Sequence, residues 1–275
     1  MVTHGDAIIV GAVHTTIPQA LASSVRQDPT TPLLTWYDDA TGDRTELSGA
    51  TLENWVAKTA NLLIDGLGLT GGEAVAVLLP PHWQTAAIVL GVSSAGLAVA
   101  FPGRPQPVDA LFATPAQAGE AAAWAAVDRY ATGLLPLAMP LREVPPGFVD
   151  YVTDVRNYGD HFGGAPVTPD SRALAGPVEL SHLAVLRTAT ERAAELGITA
   201  GDRVLIDTRA YPDPIDWLFA PLAAGASLVL CANLNPAKVD ARSYVLSTNA
   251  SIACSGDSDL RTVSYGRMNS PSSPW

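Results

Sequence analysis

The sequence is poor in cysteine and in basic residues. It has 2 cysteines in 275 residues, Cys231 and Cys254, and they lie far apart with no histidine cluster beside them. Because zinc takes about four convergent ligands, the sequence offers no metal site, and we expect no cofactor. The 16 Lys and Arg against 27 Asp and Glu give a net charge of −11, which disfavours nucleic acid because phosphate contacts need basic side chains.

The sequence also lacks a long apolar run. No stretch reaches the roughly 20 apolar residues that a membrane span needs. The short run at residues 7–13 has no basic residue before it, so it is not typical of a signal peptide. Two separated cysteines and no targeting segment predict a cytoplasmic protein. Hydrophobic residues make up 48% of the chain, so we expect a large buried core.

An internal repeat is the strongest feature that is present. Residues 67–79 read LGLTGGEAVAVLL and residues 196–208 read LGITAGDRVLIDT, within a match of 67–101 to 196–230 that needs no gap. Each copy, with the residues that flank it, predicts three helices that alternate with three strands. This alternation predicts an α/β fold of two duplicated halves, with mainly parallel sheets covered by helices.

The flanks of the repeat predict further elements. Residues 32–47 hold two β-prone runs around the turn DDATGD, which predicts a hairpin. Downstream, VDALF at 108–112 is matched to VDARS at 239–243, and residues 122–128 are matched to residues 249–255. The runs at 134–140 and 148–152 are interpreted as strands that link the halves. We predict a loose extension (1–16), a first α/β half with its hairpin (17–130), a connecting segment (131–177), a second half (178–256) and a disordered Ser/Pro-rich tail (257–275).

Two places are candidates for ligand binding. His82 follows the first buried strand, and Tyr211, Asp213 and Asp216 follow the equivalent strand of the second copy. Parallel sheets bind ligands beyond the carboxyl ends of their strands, so these side chains could line a crevice between the halves. The alternative, which we favour for His82, is a capping or surface role, and Asp213 before Pro214 suits a helix N-terminus equally well.

A glycine motif resembles that of a dinucleotide site. Gly66, Gly68 and Gly71 spell GxGxxG, which in such a site follows a strand and begins a helix. Here the motif follows a predicted helix and precedes a predicted strand. We therefore expect the glycines to serve the helix end and the turn.

The residues quoted above resemble the front part of the adenylate-forming (AMP-binding, or ANL) superfamily of acyl-CoA synthetases, peptide-synthetase adenylation domains and luciferases. ANLLIDGLGLTGGEAVAVLLP is similar to its pattern "ANRLA…LGVGPGDRVALLLPN", and VELSHLAVLRTATERAAELGITAGDRVLI is similar to "KGVxLSH…LGLTPGDRVL". The resemblance covers residues 31–256 and implies the superfamily's N-terminal domain, in truncated form. Short bacterial proteins keep only this front part, and the chain resembles them.

The departures from that pattern predict a loss of activity. The superfamily's phosphate loop reads (S/T)GTTGxPKG before "LSH", and the matching residues 168–177 read TPDSRALAGP. Ser171, Arg172 and Gly176 occupy this degenerate loop, the lysine is absent, and no residue carries over as catalytic. The resemblance also ends near Gly256, before the superfamily's adenine-binding motif and its C-terminal subdomain with the catalytic lysine.

Three functions remain open from the sequence. The first is a catalytically inactive fold that acts as a binding or regulatory module, as a homodimer or with a protein partner covering the truncated face. The second is a residual site for an adenine nucleotide or an acyl group near His82 and Tyr211. The third is an enzyme of another class on the same scaffold; an adenylate-forming ligase activity would need the parts that the sequence lacks.

Overall fold

The computed structural model describes residues 14–238 and two short strands beyond them. The helices are α1 (Ile17–Gln27), α2 (Gly49–Asn61), α3 (Trp83–Ser94), α4 (Ala118–Ala121), α5 (Tyr151–Val155), α6 (His182–Glu195) and α7 (Ala220–Ala224). π-helical turns extend α2 through Leu62–Gly66 and precede α7 at Ile215–Phe219. The strands are β1 (Pro32–Asp38), β2 (Arg44–Ser48), β3 (Ala74–Val77), β4 (Ala98–Ala100), β5 (Val108–Ala113), β6 (Ala126–Ala131), β7 (Val149–Asp150), β8 (Arg172–Leu174), β9 (Leu180–Ser181), β10 (Arg203–Asp207), β11 (Ser227–Ala232), β12 (Val245–Ser247) and β13 (Thr262–Val263).

The predicted α/β class with mainly parallel sheets is confirmed, and both copies of the repeat contain the first two helices and strands that were expected. In the first copy β5 follows β4 with no helix between them, so the expected third helix is wrong there. A seven-stranded sheet has the order β7-β6-β5-β3-β4-β8-β9, and a six-stranded sheet has the order β13-β12-β10-β11-β1-β2. The four strands β6-β5-β3-β4 correspond in order to β13-β12-β10-β11, and all of these pairs are parallel. The sequence repeat is therefore a repeat of sheet topology.

The two halves exchange their hairpins. The β1–β2 hairpin precedes the first half in the chain, yet β1 pairs with β11 of the second half. The β8–β9 hairpin precedes the second half, yet β8 pairs with β4 of the first. The expectation that the N-terminal hairpin lies within the half 17–130 is thus corrected. Each sheet is completed by strands from the other copy, so a cut between the halves would remove strands from both sheets.

The four longest helices, α1, α2, α3 and α6, begin at side-chain caps. Ser48 accepts a hydrogen bond from the backbone N–H of Thr51 at the start of α2, and Ser181 accepts one from Ala184 at the start of α6. These caps satisfy backbone donors that have no partner within the helix. Helix α1 is not among the predicted elements, although Thr16, which caps it, followed closely by a proline, is a recognised start pattern.

The repeated LGLTGGE and LGITAGD segments form the same turn. Gly72 has φ +95° and Gly201 has φ +85°, a region that favours glycine. The Gly72 N–H donates to the Gly96 carbonyl at 3.2 Å, and the Gly201 N–H donates to the Gly225 carbonyl at 3.0 Å. This turn reverses the chain between a helix and a buried strand, which explains why both copies keep nearly the same residues.

The GxGxxG motif serves structure, as expected. It lies between the end of α2 and the start of β3, and Gly68 has φ +70° just beyond the helix. A β-carbon at Gly66 would lie 2.2 Å from the hydroxyl oxygen of Tyr158. Gly66 therefore allows a close side-chain approach, and the motif does not begin a helix as a dinucleotide site requires.

The downstream match between the copies is wrong by several residues. Val75 of β3 pairs with Ala110, and the equivalent Val204 of β10 pairs with Val245. Ala110 therefore corresponds to Val245, whereas the match of VDALF (108–112) to VDARS (239–243) would place the second strand earlier. The sequence VDARS itself lies outside the described residues. The match relied on a short string that the two segments share by chance, and it disagrees with the observed strand register.

The expected linking strand at 134–140 is also wrong. Pro136–Ala138 form a 3₁₀ turn, and Leu134, Leu137 and Ala138 have positive φ values of 52°, 56° and 49°. Such angles bend the backbone away from the extended form that a strand needs. The second expected linker, 148–152, gives the two-residue strand β7 and then α5.

The main core lies between the two sheets. Helix α3 is buried along its whole length and contacts β1 of the six-stranded sheet as well as β3 and β4 of the seven-stranded sheet. A continuous apolar run without a polar stripe suits such a position. Within the described part of the chain, no helix has both the length and the apolar character to cross a bilayer.

Candidate functional site

His82 lies at the carboxyl end of β3, where it begins α3. Its Nδ1 accepts a hydrogen bond from the Gln84 backbone N–H at 3.1 Å, so the imidazole caps the helix. The side chain is only 2% exposed, and its ring centroid lies 4.5 Å from that of Trp36 in an edge-on contact. Burial lowers the pKa of His82 to about 3. The imidazole is therefore neutral and enclosed, and it does not line an open crevice.

Four buried N–H groups around His82 have no acceptor among the described residues. Nδ1 of His82 accepts a hydrogen bond, so in the neutral ring the proton is on Nε2, and this Nε2–H is unpartnered. The indole N–H groups of Trp36 and Trp83 and the side-chain amide nitrogen of Gln84 are also buried without a partner. We call Trp36, His82, Trp83 and Gln84 the donor cluster.

The second group of candidates is held in structural contacts. Asp213 Oδ1 accepts from the Ile215 backbone N–H at 2.8 Å, which caps the π-helical turn. Asp216 forms an ion pair with Arg192, with Oδ1 2.6 Å from Nε. Burial raises the pKa of Asp213. Both carboxylates thus stabilise the start of this helical segment.

Tyr211 packs, partly buried, against the main core. Among the described residues, no hydrogen bond or ring contact joins Tyr211 or Asp213 to His82. The two candidate groups follow equivalent strands, β3 and β10, but these strands belong to different sheets. The proposal that they form one site has no contact to support it.

The degenerate phosphate-loop position is largely a strand. Arg172 begins β8, and the pairing of Leu174 with Leu180 leaves only the five residues 175–179 to connect β8 to β9. Ser171 precedes the strand, and its Oγ lies 2.7 Å from Oγ1 of Thr168. Of the three residues assigned to the loop, only Gly176 lies in the connection.

The one cation at this position is engaged. The Arg172 guanidinium forms an ion pair with Glu179 at 2.6 Å and donates a hydrogen bond to the Gly72 carbonyl. The arginine thus ties the β8–β9 hairpin to the repeated turn of the first half. Glu179 also places a negative charge where an incoming phosphate would need positive charge.

A cleft beside this connection is small. It has a volume of about 30 Å³ and is lined by residues 101–104 and 174–177 together with Gln106 and Trp124. Pockets for ligands of drug size measure roughly 300–1,000 Å³. The cleft has room for about one water molecule, so it does not accommodate a nucleotide.

Sequence reasoning missed several polar residues of the core. Trp36, Trp83 and Gln84 attract no attention singly, and only PHWQ as a string after a buried strand could have indicated them. His182, quoted within the resemblance, is fully buried; its Nδ1 accepts from the Ile17 backbone N–H at 3.4 Å, and its Nε2–H is unpartnered. Burial lowers the pKa of His182 to about 4.

Solved structures with a similar fold include ligases and synthetases. An acyl-CoA synthetase from Brucella canis aligns with a TM-score of 0.65 at 16% identity, over 86% of this chain and 48% of its own. A benzoate CoA ligase from Burkholderia xenovorans LB400 aligns with a TM-score of 0.61 at 18% identity, over 83% of this chain and 48% of its own. The chain spans about half the length of these enzymes, and it has the fold of the N-terminal part of the adenylate-forming superfamily.

A relative from Mycobacterium tuberculosis (strain ATCC 25618 / H37Rv) is much closer in sequence. It is described as "TIGR03089 family protein" and is 41% identical over 246 residues, which cover 82% of this chain and 96% of the relative. The chain belongs to the TIGR03089 family. No family model matches the chain.

Proposed function

We propose that this protein is a catalytically inactive adenylate-forming fold that acts as a binding or regulatory module in the bacterial cytoplasm. The observation that carries the proposal is the connection between β8 and β9. It has five residues, 175–179, with one glycine, a proline and no lysine. A phosphate cradle needs several backbone N–H groups that converge on the anion, with cationic support.

Charge supports the same conclusion. Arg172 is committed to Glu179 and to the Gly72 carbonyl, so it supplies no free charge to a phosphate. Departing pyrophosphate develops negative charge that an adenylating enzyme must stabilise, usually by several kcal/mol. Arg104 also lines the cleft beside this connection, but the cleft, at about 30 Å³, is too small for a nucleotide.

Calorimetric titration tests the proposal. The full chain is titrated with ATP–Mg²⁺, and in parallel with AMP and a long-chain acyl-CoA, while pyrophosphate release from ATP is measured over a set of carboxylic acids. We expect no saturable heat below millimolar ATP and no pyrophosphate release. Submillimolar, saturable binding of ATP together with release of pyrophosphate would overturn the assignment.

The Glu179→Gln variant separates charge from shape. The substitution removes the carboxylate and therefore the ion pair with Arg172, while the length of the connection stays the same. If the backbone excludes the nucleotide, E179Q binds no more ATP than the parent protein. A tenfold or greater gain in ATP affinity would mean that the site is intact and only blocked by charge, which contradicts the proposal.

A module of this kind acts through a partner, and we propose a second copy or a protein. Large apolar side chains are exposed on β6 and in the region that follows it: Val127 (83% exposed), Leu137 (78%), Met139 (49%) and Val149 (49%). Exposed apolar residues support contact with another chain. Light scattering after size exclusion tests the homodimer; a monomer at 100 μM would leave a different protein as the partner to be sought.

A further inference from the structure

The donor cluster contains an unusual concentration of unsatisfied polar groups. Buried side-chain N–H groups find a hydrogen-bond partner in the large majority of cases, because an unpaired donor costs about 1–3 kcal/mol. Here four such groups belong to three consecutive residues, His82, Trp83 and Gln84, and to Trp36, whose ring packs against His82. These donors therefore need a hydrogen-bond acceptor from outside the described residues.

The cluster has a defined place between the sheets. Trp36 lies on β1 of the six-stranded sheet, while His82 follows β3 of the seven-stranded sheet. The ring centroids of His82 and Trp83 are 5.7 Å apart, and those of Trp83 and Trp55 are 5.2 Å apart. The donors thus lie at the N-terminus of α3 and at the carboxyl end of β3, which is the edge where open parallel sheets bind ligands.

The polarity of the cluster defines the ligand. All four unpartnered atoms are N–H donors, so they require an oxygen or similar acceptor. Burial alone lowers the pKa of His82, and no charged side chain among the described residues contributes to that shift. Burying an unpaired anion is far costlier than burying a neutral carbonyl. The aromatic walls favour a small and partly apolar molecule.

We propose that the donor cluster is a binding site for a small uncharged molecule, or the uncharged end of a larger one, that presents a carbonyl or similar acceptor oxygen to the N–H groups of Trp36, His82 and Trp83. The site is separate from the β8–β9 connection. It gives the proposed binding role a ligand class, and it does not depend on whether the fold is catalytically inactive.

Acetone is a suitable probe because it is small, uncharged and only an acceptor. The full chain, labelled with ¹⁵N at tryptophan, gives indole signals from its 6 tryptophans. Variants W36F, W55F and W83F assign three of them and remove one indole N–H at a time. Trp55 is the matched control, because it packs in the same aromatic group but is not among the unpartnered donors.

We expect acetone to shift the Trp36 and Trp83 indole signals saturably in the millimolar range and to leave the three unassigned indole signals unchanged. Acetate, the charged analogue of similar shape, shifts neither at the same concentration. W36F or W83F weakens acetone binding about fivefold, the loss of roughly one hydrogen bond, whereas W55F changes it less than twofold.

Absence of a saturable shift would overturn the proposal, as would an equal response of all indole signals or an equal response to acetate. A donor-removing variant that binds acetone as well as W55F does would also contradict it. The ATP titration gives an independent result. If neither acetone nor ATP binds, only the proposed acceptor site is contradicted. If ATP binds and acetone gives the expected response, only the proposal of catalytic inactivity is contradicted.

Discussion

Gly91 of α3 faces Thr59 of α2 so closely that a β-carbon at position 91 would lie 2.6 Å from the β-carbon of Thr59. Thr59 cannot turn away freely, because its hydroxyl lies 2.7 Å from the buried hydroxyl of Tyr151 and 2.8 Å from the Trp55 carbonyl. The absence of a side chain at Gly91 therefore sets the distance between two helices of the main core.

Gly91→Ala is expected to destabilise the protein by about 1–3 kcal/mol, since the added methyl group overpacks a contact that cannot relax. Urea unfolding followed by circular dichroism measures the change. Gly119→Ala is the matched control: Gly119 is exposed in α4, and its β-carbon would meet nothing within 4 Å. That control should be neutral or slightly stabilising. Equal effects of the two variants would contradict the close contact.

The repeated turn gives a second prediction. Gly72→Ala and Gly201→Ala should each cost about 1–2 kcal/mol, because both positions have positive φ while their β-carbons would meet nothing within 4 Å. The cost then comes from the backbone alone and should be similar in the two copies. Gly71→Ala, in the same turn without a positive φ, should change the free energy of unfolding by much less. Unequal costs at Gly72 and Gly201 would mean that the turns are not equivalent.

A third prediction concerns the carboxylate that sequence reasoning assigned to a ligand site. Asp213→Ala removes the acceptor for the Ile215 N–H and should cost about 1 kcal/mol in stability. Asp213→Asn keeps a side-chain oxygen and should cost less than half of that. The comparison is made by thermal and urea unfolding. If both variants were equally stable to the parent protein, Asp213 would have no capping role, and a ligand-binding role would return to consideration.

Local sequence patterns predicted the elements well. The turn glycines, the capped helices and the buried strands could be predicted from composition and spacing over a few residues. The repeat supports these predictions because the same pattern occurs in both copies. The register of β12 could not be predicted, because the VDARS match was short and strand pairing depends on neighbours distant in sequence. The bend at Leu137 likewise depends on tertiary packing, which overrode the strand tendency of an apolar run.

The exchanged hairpins and the donor cluster could not be predicted from the sequence, for a related reason. Nothing in residues 32–48 indicates that β1 pairs with β11 near the far end of the chain. Trp36 meets His82 only because of that pairing, which places a strand of one sheet against a helix N-terminus that follows the other. Sequence reasoning found His82 from its position after a strand, but it predicted an open crevice, whereas the rings of Trp36 and Trp83 enclose the histidine.

The two buried histidines predict a loss of stability in mild acid. Each uses Nδ1 as an acceptor for a backbone N–H, and burial lowers the pKa to about 3 for His82 and about 4 for His182. In the unfolded chain both histidines would titrate near pH 6.5. Below that pH the unfolded state therefore binds protons that the folded state does not bind. The stabilising contribution is complete above pH 6.5 and is lost progressively as the pH falls toward 4.

Each of these histidines should lower the free energy of unfolding by up to about 1.4 kcal/mol per pH unit between pH 6 and 5. Urea unfolding at half-unit intervals from pH 7.5 to 5 measures the slope. His82→Asn keeps an acceptor for the Gln84 N–H but does not titrate, so it should remove about one proton from the slope. A slope that H82N does not alter would mean that His82 is protonated in the folded protein, and its Nδ1 could then not accept the hydrogen bond that begins α3.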